Sequence, residues 1–254
     1  MRRTVIATDE QAKAAPDGAF LRERLATIEA ALDGGEYQPG PWSWLVRELR
    51  DSPAVTRTQL APDISRVSRK LHQRQPRLII GVVSAILLEA LGGIVGGILL
   101  AAGLARMSTV LALIGTALWI MSFEPLIKLG VGTAFGVIYD YAYLYGGLEP
   151  RFKMKYGSYL ALAPLPRALL QFAGTVGSPL GALIAASICG SILPTASVIG
   201  WVAFWILVLI NAGGVVSEVA GVRRLGGMRL PPGSASEMVA ELRCWWRNRG
   251  MPPS

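Results

Sequence analysis

The residues of this sequence that could do chemistry are four ionisable side chains within long apolar stretches: Glu89, Glu124, Lys128 and Asp140. A charge inside a membrane is costly, so each such group needs a partner or a purpose. Glu124 precedes Lys128 by four residues, and in this order two side chains meet on one face of a helix. The pair is either a buried ion pair that locks the helices together or part of a polar cavity, such as a proton path or a ligand site.

Glu89 is the strongest functional candidate of the four, because residues 78–105 around it contain no Lys or Arg. A salt bridge to Lys128 from another helix would satisfy it as well. Asp140 stands in a run of alternating tyrosines between 139 and 145. Such a run is typical of an aromatic belt at the membrane surface, and it would also suit the polar cavity. Both interpretations of the cluster stay open on the sequence.

Other catalytic chemistry finds little support in the sequence. The single histidine, His72, excludes a metal site built from several histidines, and the two cysteines, Cys189 and Cys244, provide no disulfide framework. The phosphate-binding, dinucleotide-binding and serine-hydrolase motifs are missing as well. We therefore predict no catalytic residue, no metal and no other cofactor, and we favour a protein without enzymatic activity.

The elements that must position these residues are predicted to be membrane helices. Of the 254 residues, 52% are apolar and only 17% are charged, against about 25% charged in soluble chains. Four apolar stretches are long enough to cross a bilayer, and the second is so long that we expect a kink at Pro125. The predicted spans are residues 78–105, 109–145, 168–193 and 197–220.

The basic residues favour one orientation of these spans. The net charge is +8, and Lys and Arg collect before span one, between spans two and three, and after span four. These three groups fall on one side of a four-helix topology, which by the positive-inside rule places both termini in the cytoplasm. Since membrane topology accounts for the basic charge, we expect the lipid bilayer and other membrane proteins as partners and no nucleic acid.

Small residues mark a packing face in the first span. Gly92, Gly93, Gly96 and Gly97 form two overlapping pairs of small residues four apart. Such a pattern flattens one face of a helix, so that a second helix can approach closely. We interpret these glycines as packing residues and not as a ligand site.

The two ends of the chain are predicted to be amphipathic. Residues 1–76 form a cytoplasmic or membrane-surface helical segment, residues 77–222 the membrane domain, and residues 223–254 a basic tail. In the tail, Ser234 to Glu237 match a capping box that starts a helix. Its aromatic and basic residues suit the membrane interface, with docking of a partner as the alternative. These interface residues are Arg243, Trp245, Trp246 and Arg247. The predicted fold class is an all-α polytopic membrane protein with a helical N-terminal segment and an amphipathic C-terminal helix.

Three segments together resemble a known membrane family. Residues 123–128, 149–160 and 173–179 look like the membrane core of the site-2-protease-like intramembrane metallopeptidases. That family places two zinc-binding histidines four residues apart on a membrane helix, and the matching positions here are Glu124 and Lys128. Neither is histidine, and a protonated lysine cannot bind zinc. The resemblance covers roughly residues 78–190 and implies a shared fold whose metal site has been replaced and whose proteolytic activity is lost.

These features lead to three functional hypotheses. The first is a non-catalytic subunit, scaffold or accessory factor of a larger membrane complex. The second is a small transporter or proton-coupled protein that uses the four intramembrane ionisable residues. The third is a membrane enzyme that acts on lipid through the basic loop at residues 151–155.

Overall fold

The computed structural model describes residues 18–38, 40–74, 78–145, 149–221, 224–225, 228–229 and 233–249. Helices dominate these ranges, and four of them are long and apolar enough to cross a membrane, which confirms a polytopic, nearly all-α fold. In chain order the elements are α1 (Gly18–Asp33), α2 (Pro41–Asp51), α3 (Ala54–Gln73), β1 (Ile79–Ile80), α4 (Val82–Ala105), α5 (Thr109–Ala134), β2 (Tyr139–Tyr145), β3 (Glu149–Met154), α6 (Tyr156–Ala161), α7 (Pro164–Cys189), α8 (Pro194–Ala220), β4 (Arg224–Leu225), β5 (Met228–Arg229) and α9 (Ser234–Arg249).

The candidate membrane helices α4, α5, α7 and α8 pack in a row. Helix α4 packs along α5, α5 along α7, and α7 along α8. The α4–α5 hairpin turns through Met107, whose φ is 54°, and Ser108 caps α5 by accepting a hydrogen bond from the Leu111 N–H. Half of the most apolar window of α7 is buried but only 6% of that of α8. Helix α7 is therefore the central helix, and α8 an outer one.

The four glycines of α4 that we predict to form a packing face lie against α5. A Cβ atom on Gly96 would come 2.9 Å from the carbonyl oxygen of Gly115, and one on Gly92 would come 2.8 Å from Ser122 Oγ. A Cβ atom on Gly97 would come 3.0 Å from the Trp119 ring, and one on Gly93 would come 3.7 Å from Ser122 Cβ. Because a larger side chain at Gly92, Gly96 or Gly97 would push the helices apart, the contact between α4 and α5 depends on small residues at these three positions.

The segment after α5 differs from the prediction. We expected the helix to continue to residue 145 and a loop to follow over 146–167, but α5 ends at Ala134 and strands β2 and β3 follow. Gly136 adopts a φ of 82° and ends the helix, and the Val137 N–H turns back to the Gly132 carbonyl oxygen at 2.9 Å. Beyond it the tyrosines alternate with a period of two, which is the period of a strand. Strand β2 pairs antiparallel with both β1 and β3.

The N-terminal helices share a core with the membrane domain. Leucine, isoleucine and valine side chains of α1, α2 and α3 form one buried cluster with Val137, Tyr159 and Leu170. Helix α3 begins at Ala54, and Leu60 already belongs to the buried face that Ile64 and Val67 continue. Helices α1–α3, which we call the N-terminal cap, therefore share buried core residues with the membrane helices.

We predict that Gly157→Ala destabilises the contact between α6 and α3. A Cβ atom at this position would overlap the backbone carbonyl of Ala61, and backbone atoms cannot move aside as a flexible side chain can. The expected loss is about 1–3 kcal/mol, measured as a lower thermal unfolding temperature of the full chain in mild detergent. Gly213→Ala on α8 is the matched control, since its Cβ atom would meet nothing within 4 Å. Equal unfolding temperatures for the two variants would contradict the close contact.

We also predict that acid loosens α1 from α3. Hydrogen bonds from Arg66 and Lys70 lower the pKa of Glu29 from 4.5 to about 2. This contribution to stability is complete above pH 4.5 and disappears as the pH falls toward 2, because protonated Glu29 no longer attracts the two cations. The unfolding temperature, measured between pH 6 and pH 2, should lose part of its acid dependence in Glu29→Gln. Glu23→Gln, on the exposed face of the same helix, should retain it.

Candidate functional site

A buried network of charged side chains joins α9 to α2, α6 and α7. Glu241 of α9 and Arg167 of α7 are both 0% exposed, and Glu241 Oε2 lies 2.8 Å from Arg167 Nε. Glu241 Oε1 lies 3.2 Å from Arg50 Nε of α2 and accepts a hydrogen bond of 3.1 Å from the Tyr159 hydroxyl. The two Nε–carboxylate contacts lack the alignment of hydrogen bonds, so they stabilise the site as attraction between charges. We call this set the α9 docking network.

Local structure fixes the members of the α9 docking network. Arg167 lies in the first turn of α7, which Pro164 begins, and its Nη1 donates to the Leu160 carbonyl oxygen at 3.2 Å. Gln171, one turn further along α7, donates to the Tyr159 hydroxyl at 3.3 Å. On α9, Glu237 and Glu241 are four residues apart and share one helix face, so both reach Arg50.

Burial raises the pKa values of the tyrosine and glutamate side chains in this network. It raises the pKa of Tyr159 well above its usual value, so the hydroxyl keeps the proton that it donates to Glu241. Burial also raises the pKa of Glu241, while Arg167 and Arg50 act in the opposite direction. The pKa of the neighbouring Tyr156 rises to about 12 for the same reason as that of Tyr159.

A third guanidinium belongs to the same region. Arg57 is buried and donates to the carbonyl oxygens of Ser52 and Arg50 at the C-terminal end of α2. Burial lowers the pKa of Arg57, and the nearby charge of Arg167 lowers it further. Three guanidiniums therefore face two carboxylates, and the negative end of the α2 dipole compensates for the difference.

Glu124 and Lys128, both on α5, form hydrogen bonds with residues of two other helices. Glu124 Oε2 accepts a hydrogen bond of 2.9 Å from Ser178 Oγ of α7, and Lys128 Nζ donates to Ser234 Oγ of α9 at 3.0 Å. The backbone of α7 comes close at this point because Gly177 has no side chain: a Cβ atom there would lie 2.6 Å from Glu124 Cα. These contacts connect three helices through polar groups in an apolar region.

The structure does not bring the four predicted residues together on membrane helices. Asp140 lies on strand β2, since α5 ends at Ala134, and its carboxylate pairs with Arg69 of α3 at 2.6 Å from Nε. This finding corrects the placement of Asp140 in an intramembrane cluster. Glu89 is buried in α4, one turn before Gly92, where α4 meets Ser122 of α5.

The predicted interface residues lie on α9, which packs against α7 and α8 of its own chain. Trp246 is 72% exposed, and Trp245 carries the Arg249 guanidinium 4.1 Å from its ring centre. Arg243 donates to the Val219 carbonyl oxygen at the end of α8, and Arg247 pairs with Asp51 of α2 at 3.1 Å. Contact of this helix with the membrane interface stays a prediction.

Strand β3 carries Arg151 and Lys153, two of the basic residues in the segment that the lipid-acting hypothesis invokes. Residues 151–154 are paired with β2, and Lys153 Nζ donates to Ser68 Oγ of α3 at 2.8 Å. Among the described residues, no group of three or more His, Cys, Asp and Glu is arranged to hold a metal ion. Comparisons with protein-family models, curated proteins and solved structures give no match for this chain.

The α9 docking network is not predicted from the sequence. The four-residue spacing of Glu237 and Glu241 is a signal that could have indicated an acidic helix face. Arg167 was assigned to membrane topology, because a basic residue at the start of an apolar helix is common. Its partner Glu241 lies 74 residues further along the chain, and Glu241 also binds Arg50, 191 residues before it, so these groups approach only in the folded chain.

We predict that Glu241→Gln destabilises the chain more than Arg167→Met. The glutamine leaves three guanidiniums with one carboxylate, at an expected cost of about 3–5 kcal/mol, whereas the methionine leaves two of each. Thermal unfolding in detergent, followed by tryptophan fluorescence, measures the difference. The double variant should be more stable than Glu241→Gln alone. The opposite order of the single variants would contradict the charge balance that we describe.

Proposed function

We propose that this chain is a non-catalytic integral membrane protein that serves as a subunit, scaffold or accessory factor of a larger membrane complex. The observation that carries the proposal is that charged side chains which are buried or half-buried form their bonds between helices. Glu124, Lys128 and Glu241 each bond to a different helix from their own. Groups committed to such contacts hold elements together and are poorly placed to exchange a substrate or a proton.

The arrangement of the two ends supports a cytoplasmic platform. Helices α2 and α9 contact each other through Arg50 and Glu237, so the N-terminal cap and the C-terminal helix lie on one side of the membrane helices. The basic residues of the sequence collect on this side, from which we infer that it faces the cytoplasm. A cap tied to α7 by buried charges would move together with the membrane helices and present a fixed surface.

The outer helices offer surface for other membrane proteins. Helix α8 exposes large apolar side chains along its length, among them Trp201, Trp205 and Leu209. Lipid can cover such a face, and so can a helix of another subunit, because lipid tails and apolar side chains are chemically alike. We propose that a helix of another subunit covers this face of α8, in keeping with the accessory role.

The resemblance to the site-2-protease-like family is compatible with this function. On our proposal, Glu124 and Lys128 occupy the positions of the two zinc ligands and join helices instead of binding a metal. Their bonds to Ser178 and Ser234 are what a replaced metal site would need in order to stay satisfied.

Stoichiometric co-purification tests the proposal. The full chain, extracted in mild detergent from its native membrane, should elute with at least one other protein at constant ratio by quantitative mass spectrometry. A photoreactive residue at Leu209 on the exposed face of α8 should cross-link to that protein. The same residue at Ala185, buried in α7, is the matched control and should cross-link only within the chain. A protein that elutes alone and whose Leu209 probe labels only lipid would contradict the proposal.

The buried carboxylate of Glu89 favours a proton-coupled protein as the second candidate. Two outcomes separate it from the scaffold. If Glu124 and Lys128 are structural, Glu124→Gln or Lys128→Met alone should lower the unfolding temperature, and the double change should recover much of the loss. If proton coupling is the function, Glu89→Gln should leave stability intact and abolish proton flux into liposomes loaded with a pH-sensitive dye.

A further inference from the structure

A polar groove of about 480 Å³ lies between α3, β2 and the start of α6, apart from the α9 docking network. Its charged lining residues come from all three regions: Arg66 and Arg69 from α3, Asp140 from β2, and Lys155 from the residue before α6. Ile138 and Pro62 add apolar surface. The groove therefore offers three cations and one carboxylate in one concave site.

Some hydrogen-bond donors of the arginines in this groove have no acceptor among the described residues. Arg69 directs Nε and Nη2 to Asp140, and Arg66 directs the same two atoms to Glu29, with Asp63 beside them. In the described part of the chain, both Nη1 groups are left over. The Lys155 ammonium likewise has no ion-pair partner among the described residues, and it is the cation that no carboxylate neutralises.

The walls of the groove are held in place before any ligand arrives. The Lys155 N–H donates to the Ile138 carbonyl oxygen at 2.7 Å, and Ser158 Oγ accepts from the Ile138 N–H at 3.1 Å while donating to the Lys155 carbonyl oxygen. The paired carboxylates fix the two guanidiniums in the same way. A ligand would order few side chains on binding, so more of the interaction energy contributes to affinity.

The groove lies near the membrane boundary. Ile138 follows the last residue of α5 by four positions and is 53% exposed. The neighbouring strand β1 and the residue before it expose Ile79 and Leu78 immediately before α4 begins. Exposed apolar residues lie here beside the ends of two membrane helices, near the Lys155 ammonium and the unused N–H groups of the two arginines. This combination matches a ligand with an anionic head near the bilayer surface.

We propose that this groove binds a phosphate group, presented either by an anionic membrane lipid or by a free phosphate compound. Lys155 supplies the unneutralised charge, and the Nη1 groups of Arg66 and Arg69 supply directed N–H donors. Phosphate oxygens accept several such charge-assisted hydrogen bonds at once. The inference is independent of the scaffold function, since it rests on a different surface.

The test uses the purified full chain in neutral detergent and titrates it with dihexanoyl phosphatidic acid, with dihexanoyl phosphatidylcholine as the uncharged-headgroup comparison. We expect saturable binding of the phosphatidic acid at one site and an affinity about tenfold lower in Lys155→Gln. Lys155→Arg keeps the charge and should retain binding within a few fold. Arg22→Gln removes one charge from the exposed face of α1 and is the matched control, with affinity unchanged.

A titration with inorganic phosphate alone distinguishes the sources. Binding of phosphatidic acid together with competition by inorganic phosphate at similar concentration supports a free phosphate compound. Binding of the lipid without such competition supports a membrane lipid, with Ile138 contacting its apolar part. Equal loss of affinity in Lys155→Gln and Arg22→Gln, or saturable binding of neither phosphate probe by a chain whose unfolding temperature is normal, overturns the proposal.

Discussion

The ion pair between Arg167 and Glu241 is the interaction on which the rest of the structure depends. Both side chains are withdrawn from solvent, and a buried charge is tolerated only when an opposite charge and polar partners lie close to it. Those partners come from α2, α6 and α9, so the charges are satisfied only when cap, membrane helix and C-terminal helix are all assembled. The pair therefore makes the three regions one cooperative unit.

Inside the membrane region the helices are held by other means. Lipid tails are as apolar as leucine, so the hydrophobic effect does little to bring membrane helices together. The attraction comes instead from close approach at small residues such as Gly96 and Gly177, and from the hydrogen bonds that Ser178 donates to Glu124 and Lys128 donates to Ser234. Rigid contacts of this kind suit a scaffold better than a protein whose helices must open and close.

The sheet and the residues around it form a second feature of the molecule, the polar groove, close to the end of α5. Strand β2 places Asp140 against Arg69. The carboxylate that we expected within the membrane therefore lines the polar groove. Lys155 then remains as an uncompensated cation beside the exposed Ile138. The groove and the contacts on which we base the proposed scaffold function lie in different parts of the molecule, and binding of an anionic lipid at the groove would also help to anchor the N-terminal helices.

The sequence by itself determined the four membrane helices, because stretches of that length and apolarity leave few alternatives in a bilayer. It also determined the C-terminal helix and the packing face around Gly96. Only the tertiary structure decided that residues 139–145 form a strand, because alternating tyrosines suit a membrane-surface belt as well as a strand, and the stop at Gly136 depends on its backbone conformation. It also decided the α9 docking network, because the pairing of Arg50, Arg167 and Glu241 joins residues far apart in the chain, and local sequence carries no information about such contacts.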